Sequence, residues 1–506
     1  MIEKAVAAAN RKDYSLLIGL RSKIDQFESV SELMKLGAAF KGFGFISAAR
    51  LAYQQVLILN PGDINAMAML ASIYQDLGEH DRSYQLYQLL LSKLPDNTVL
   101  RSNYLLSQQW HPEISPFEMK CSAKEWGDWL ISKVGERPRP FLPSLESRKL
   151  RVGYVSADFC QHTVGLLVKN VICSHSDAVQ VYCYSATRVD DWVGKELSEA
   201  TNFKDIKSLT DSQLAQVIIS DGIDVLVDLS GHTAGTRISV FAYRPAPVLL
   251  SWLGYFATTG LKYIDGILLD KWHAPKNSDK DYVEPIIQLE VGRITYAPVP
   301  WMPSNVPELP CLTNGFITFG CFNNTNKLND EVFDAWARIL NQVHDSKLIL
   351  KWRTFNDDVF RDKIVEEFRV RGITKERIEC RGPSFHKGLL EEYRDVDIAL
   401  DPFPFSGGLT SLEALYMGRP VITLPKSTAV SRQTHAFLNA INESKLSATG
   451  LEEYIEIATK LSLDFEMLQK ISLSLRQKMQ TSSLMSQSQQ AQELEDVYFR
   501  VYKSLQ

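Results

Sequence analysis

The chain has 506 residues, 45% of them hydrophobic and 23% charged, with a formal net charge of −5. That is the profile of a soluble globular protein of about three domains, and its mildly acidic balance argues against a general nucleic-acid binder. No apolar run reaches the length of a membrane span, and the opening MIEKAVAAANRKDYSLL carries charge too early for a secretory signal. Seven cysteines, at 121, 160, 173, 183, 311, 321 and 380, form no C-x-x-C pair and read as reduced thiols of a cytoplasmic protein.

An internal repeat comes first. Pro61 and Pro95 lie 34 residues apart, and the same offset links Gly44 to Gly78, Phe40 to Tyr74, Tyr53 to Tyr87 and Ala49 to Ser83. The pattern predicts helix pairs near 33–43 and 46–59, then 66–77 and 80–93, each unit closed by LNPGD or KLPDN. These units resemble tetratricopeptide repeats, with residues 1–32 as a degenerate capping pair. Such an array either recognises a partner peptide or buttresses its neighbour. Residues 97–147 are mixed helix and linker, ending in a proline-rich boundary, GERPRPFLPSLESRK.

From Leu150 short apolar strands alternate with helices. LRVGYVSAD, VQVYCYSA, part of 220–232 and APVLLSWLGY read as strands. GFITFGCFN, SKLILKWR, IECRG, DIALDPF and PVITLP form a second series, and 451–506 reads as helical. This predicts two doubly wound parallel halves facing a cleft, with ligands beyond the carboxyl ends of the strands. The expected domains are 1–147 helical, 148–310 the first half and 311–506 the second.

Polar residues gather at four strand ends: His162, His232, Lys327 preceded by asparagines, and Ser406-Gly407-Gly408-Leu409-Thr410-Ser411 before a helix. The last stretch is either a side-chain helix cap through Thr410 or Ser411, or an anion cradle of helix N–H groups approached over glycines. A lysine beside such a terminus suits a departing diphosphate, and a histidine suits a base or an orienter of a hydroxyl. Glu413 reads as a first-turn carboxylate able to accept from ribose hydroxyls. Asp395-Val396-Asp397 matches a D-x-D metal motif but leads straight into a strand, and no other cluster has ligand spacing. There is no phosphate-loop GxxxxGK and no G-x-S-x-G elbow.

LRVGYVSADF, DGIDVLVDLSGHTAGTR, RPAPVLLSWLGY, FGCFNNTNKL and LDPFPFSGGLTSLEALYMGRPVIT, in this order, resemble the O-linked N-acetylglucosamine transferase / SPINDLY family of glycosyltransferases. The resemblance implies a GT-B fold of two Rossmann-like domains preceded by an all-α repeat domain. It implies metal-independent, inverting transfer of one sugar, N-acetylglucosamine first among the candidates, to Ser/Thr hydroxyls of proteins. No cofactor is implied beyond a UDP- or GDP-linked donor substrate. Lys327 matches the diphosphate lysine, Asn324 a polar residue near the phosphates, and Gly407, Gly408, Leu409 and Thr410 the diphosphate loop. Glu413 matches a ribose contact, His162 an active-site histidine and His232 the GHT of the SPINDLY branch, while Arg381 to His386 falls where the nucleobase is held. The loop reads SGGLTS where animal members read NGHTTG, and Phe256 stands where proline is usual. GDP-fucose or UDP-glucose donors, glycan or asparagine acceptors, and a scaffold with an inactive transferase domain are the alternatives. The implied partners are an acceptor protein held by repeats and cleft, the nucleotide sugar, and a second copy if the repeats dimerise, with no nucleic acid and no membrane span.

Overall fold

The computed structural model describes residues 1–187 and 190–506. They form two compact units that are not consecutive in the chain. One holds residues 1–112, 302–425 and 445–476; the other holds 113–301, 426–444 and 477–506. These units cut across the consecutive boundaries expected from the sequence at four places. Residues 113–147 group with 148–301 instead of with the repeats, 302–310 group with 311–425, and 426–444 and 477–506 group with 113–301.

In the first of these units the repeats are helices α1 (Ile2–Ala9), α2 (Ser15–Arg21), α3 (Val30–Gly42), α4 (Ile46–Leu59), α5 (Ile64–Asp76), α6 (His80–Lys93) and α7 (Thr98–Ser107). The 34-residue offset has a local cause. Asp63 and Asn97 each accept the backbone N–H three residues on, at 2.9 and 3.0 Å, so each unit-closing turn also caps the next helix. Gly37 is required because a Cβ there would lie 2.7 Å from Tyr53 Cζ. In the next unit Ala71 packs in one cluster with Tyr87. Gly44 and Gly78 have left-handed φ of +86° and +74°. A Cβ on them would meet Arg353 O at 2.1 Å and Leu328 O at 2.8 Å. The repeated glycines thus seat the array on the loops of the second sheet, beyond simply turning between helices.

That sheet is wholly parallel, in the order β10-β9-β8-β11-β12, with β8 Thr318–Cys321, β9 Lys347–Lys351, β10 Ile378–Arg381, β11 Ile398–Leu400 and β12 Val421–Ile422. Its core includes Phe319, Leu348, Leu350, Ile398 and Trp336, all buried.

The other unit carries a seven-stranded parallel sheet, β3-β2-β1-β4-β5-β6-β7. Its strands are β1 Leu150–Ser156, β2 Val179–Ser185, β3 Asn202–Asp205, β4 Val225–Asp228, β5 Val248–Trp252, β6 Gly266–Asp270 and β7 Ile286–Leu289. Helix α8 (Pro116–Val134) packs on loops at the strand ends, and Gly127 approaches so closely that a Cβ would lie 1.9 Å from Gly260 O. The final helix, Gln487–Ser504, belongs here because Tyr498 meets Tyr154 through their hydroxyls at 3.0 Å and Glu495 accepts from Ser176 N at 2.7 Å. Among the described residues no helix is long and apolar enough to cross a membrane.

Candidate active site

The loops after β8 and β11 interlock. After β8 the chain makes a 3-10 turn, Thr325–Lys327, whose start is fixed by Asn324 Oδ1 accepting from Asn326 N at 3.1 Å. Asn324 Oδ1 is thus engaged in its own turn. Its neighbour Asn323 faces inward, where its Oδ1 accepts from Lys327 Nζ at 2.8 Å and from Thr410 Oγ1 at 2.9 Å. Lys327 Nζ also donates to Ser406 O at 2.8 Å. Burial pushes this ammonium down to about 8, with the charge of Asp401 opposing the shift.

The helix Leu409–Tyr416 begins without a side-chain cap. Thr410 Oγ1 is committed to Asn323, and Gly408 O accepts from Ser411 N and Leu412 N at 3.1 and 3.2 Å. The N–H groups of Leu409 and Thr410, the first two helical ones, have no intrahelical acceptor, which is the anion-cradle arrangement. The backbone N–H of Gly407 is engaged within the loop. Its N–H donates to Asp401 Oδ1 at 2.6 Å, and a Cβ there would lie 2.1 Å from Ser411 Oγ. Asp401, at the end of β11, also accepts from Thr423 Oγ1 at 2.7 Å and so pins the loop.

Glu413 is the fifth helical residue, in the second turn, which corrects the first-turn reading. It is buried, and its Oε1 lies 2.6 Å from His386 Nε2. Burial raises its carboxyl, while the His386 partner lowers it. Tyr393 stacks on Phe322 with centroids 4.6 Å apart and donates its hydroxyl to Thr410 O at 3.0 Å. Both carboxylates of the D-x-D match are taken by the fold. Asp397 accepts from Cys311 N and Thr318 N, and Asp395 pairs with Arg381.

The first sheet's strand ends are built differently. His162 caps the helix Thr163–Ile172, its Nδ1 3.4 Å from Val164 N and 3.4 Å from Asp158 Oδ1. Its side chain is 51% exposed. A proton on Nδ1 directed to Asp158 leaves the Nε2 lone pair for chemistry, whereas the bond from Val164 leaves an Nε2–H donor. His232 is sealed. It is fully buried, its Nε2–H donates to Thr259 O at 2.9 Å, and its ring meets Trp126 edge-on at 4.4 Å and Tyr255 at 5.2 Å. Burial lowers it to about 4. This is the setting of a neutral buried histidine, bonded to Thr259 O and closed in by two aromatic rings, with no exposed face of its own. Sequence reasoning missed Asn323, Asp401 and Tyr393.

Two features therefore converge in the second sheet: a partly buried lysine whose ammonium burial disfavours, and an uncapped helix start reached over glycines. A family model described as Glycosyl transferase family 41 matches residues 132–292 and 308–494. The chain belongs to glycosyl transferase family 41. A solved structure of a Thermobaculum terrenum O-GlcNAc transferase mutant superposes with a TM-score of 0.89 at 30% identity, covering 100% of this chain and 98% of that one. The architecture is thus of the GT-B type, with two Rossmann-like sheets and an α-helical repeat array. A Petunia hybrida protein called probable UDP-N-acetylglucosamine–peptide N-acetylglucosaminyltransferase SPINDLY is 31% identical over 417 residues, 81% of this chain and 44% of its own length. A Caenorhabditis elegans UDP-N-acetylglucosamine–peptide N-acetylglucosaminyltransferase is 22% identical over 474 residues, 70% of this chain and 41% of its own. This family 41 chain spans less than half the length of these curated relatives.

Proposed function

We propose that this family 41 chain transfers one N-acetylglucosamine from UDP-N-acetylglucosamine to serine or threonine hydroxyls of proteins, with inversion. The carrying observation is the Lys327 ammonium held between Asn323 and Ser406 beside a helix N-terminus that has no side-chain cap. In such a transfer the acceptor oxygen bonds the anomeric carbon as the bond to the diphosphate breaks, and the electron pair leaves on the diphosphate. Lys327 and the Leu409 and Thr410 amides answer that charge, in a setting where loss of one such donor costs about 10²–10³ in rate. We assign His162 the acceptor's proton, Glu413 and His386 the nucleoside, and Gly407 and Gly408 the shape of the loop. Charge supplied by the chain itself supports a reaction that needs no metal, which predicts undiminished turnover in a chelator. Seven free thiols suit a reducing compartment. Exposed Ile58 and Val99 on the repeats offer an acceptor protein an apolar foothold.

The test is a thermal-shift and donor-hydrolysis panel with UDP-N-acetylglucosamine, UDP-glucose, UDP-galactose, GDP-fucose and GDP-mannose, on wild type and Lys327→Ala. Selective stabilisation and turnover with UDP-N-acetylglucosamine, lost in the variant, is the expected result. Preference for GDP-fucose overturns the donor. Binding without turnover, even with candidate acceptors, overturns the enzyme reading in favour of a scaffold.

A further inference from the structure

The repeat array reaches the diphosphate site directly. Just past α7, Trp110 stacks on Phe405 with centroids 5.1 Å apart and ring planes within 14°. Phe405 is buried, and Lys327 Nζ lies 4.8 Å from its ring centroid. The Trp110 indole nitrogen is itself buried without a hydrogen-bond partner among the described residues. That residue is held there by its faces and not by its N–H. A second contact points the same way. Thr325 Oγ1 donates to Asp76 O at 3.0 Å, and Leu328 O lies against Gly78, so the turn bearing Lys327 rests on the corner between α5 and α6.

We propose that Trp110 is a positioning residue for Lys327, acting through Phe405, and that the repeat array is in this way a structural part of the diphosphate site. The proposal rests on the reading of Lys327 as the diphosphate's cation. A ring face attracts an ammonium most where water is excluded, and the indole holds that face in place. Around Lys327 stand Asn323 and Ser406 as acceptors, Asp401 as the nearby carboxylate, and Cys321, a thiol that burial pushes up to about 12 and keeps neutral. Loss of the indole admits water to the ammonium, which then holds its proton to higher pH.

The experiment uses the full chain as wild type, Trp110→Ala, Trp110→Phe and Phe405→Leu. Lysine-selective ¹³C labelling follows the Lys327 Cε resonance through a pH titration, assigned by its absence in Lys327→Met. Donor hydrolysis is measured alongside with UDP-N-acetylglucosamine. In Trp110→Ala and Phe405→Leu, Lys327 is expected to titrate at higher pH, and kcat to fall about tenfold with a smaller change in KM, the scale of one aromatic contact. Trp110→Phe is expected to restore both. An unchanged Lys327 titration in Trp110→Ala and Phe405→Leu, or a Trp110→Phe variant as impaired as Trp110→Ala, overturns the proposal. If Trp110→Ala does not fold, Phe405→Leu against Trp110→Phe decides it. The resonance reports on positioning even if no donor is turned over, so failure of the activity and failure of this inference are told apart.

Discussion

The strand-end loops of the two sheets solve opposite problems. Those of the second sheet are tied to one another: Lys327 and Thr410 share Asn323 Oδ1, Asp401 holds Gly407, and Glu413 holds His386. Those of the first carry one half-exposed histidine and one sealed histidine. A donor of fixed charge and shape rewards a site built in advance, because ordering is paid before binding. On the proposed reading, the more open ends of the first sheet suit a protein acceptor that varies in sequence. The contrast also separates residues placed for chemistry from residues placed for the fold, and mutation can probe it.

The largest expected effect is at Lys327. Lys327→Met should lower transfer by at least about 10²-fold and leave the melting temperature at pH 7 unchanged or higher. The folded ammonium sits near 8, against an ordinary value of 10.5, so burying the charge opposes folding below pH 8. That burden lifts as pH rises from about 8 to 10.5, because the unfolded chain then binds the proton that the folded chain has released. Calorimetry of wild type and variant across this window checks the sign. A variant that melts lower at pH 7 would make Lys327 a fold residue.

The two histidines come next. His162→Ala should lower kcat by about 10²–10⁴-fold, the range of general acid–base assistance, with little change in melting. His232→Ala should do the reverse. It empties a space between Trp126 and Tyr255 and leaves Thr259 O without its donor, at a cost of about 2–4 kcal/mol. Urea melts and steady-state kinetics on the two variants suffice, and exchanged outcomes would reverse the assignments.

Acid sensitivity is a smaller signature of the same buried class. His80, His232 and His435 are each held near 4 by burial, below the ordinary 6.5. As pH falls from 6.5 through about 4 the unfolded chain takes up protons that the folded chain refuses, so stability should decline over that window. His232→Gln should flatten the decline. An equally steep profile in that variant would mean that other groups set the acid limb.

Much of this was legible in sequence, for identifiable reasons. The repeat helices fall within a few residues of expectation because their punctuation is local: capping residues at 63 and 97, glycines at 44 and 78. The edge strands β3 and β7 are not legible in the sequence. NFKD is mostly polar with no buried residue, and IIQL is short and only partly buried, so neither shows a strand period. The apolar β6, GILLD, carries no distinguishing signal in the sequence, because five apolar residues between loops fit a strand or a buried helical turn equally well. The return of the last helix to the first sheet depends on Tyr154 and Ser176, far away in the chain. Within the site, the adjacent Asn323 and Asn324 are chemically identical, and only the 3-10 turn decides which faces Lys327. The burial of His232 depends on Trp126, on a helix that sequence assigned to another domain.

The smallest expected effect concerns the remote end of the donor. Glu413→Gln keeps an oxygen for His386 Nε2–H and removes a charge that burial already disfavours, so folding should be little affected. A hydrogen bond to a charged group is worth about 1 kcal/mol more than one between neutral groups. If Glu413 accepts from the nucleoside, the donor KM should rise about fivefold with kcat unchanged, since the contact is equally present before and during transfer and so contributes uniform binding. A fall in kcat instead would mean that the His386–Glu413 pair shapes the loop around Thr410 and acts on the departing diphosphate. The tied loops of the second sheet would then behave as one catalytic unit, and its separation into nucleoside and diphosphate parts would fail.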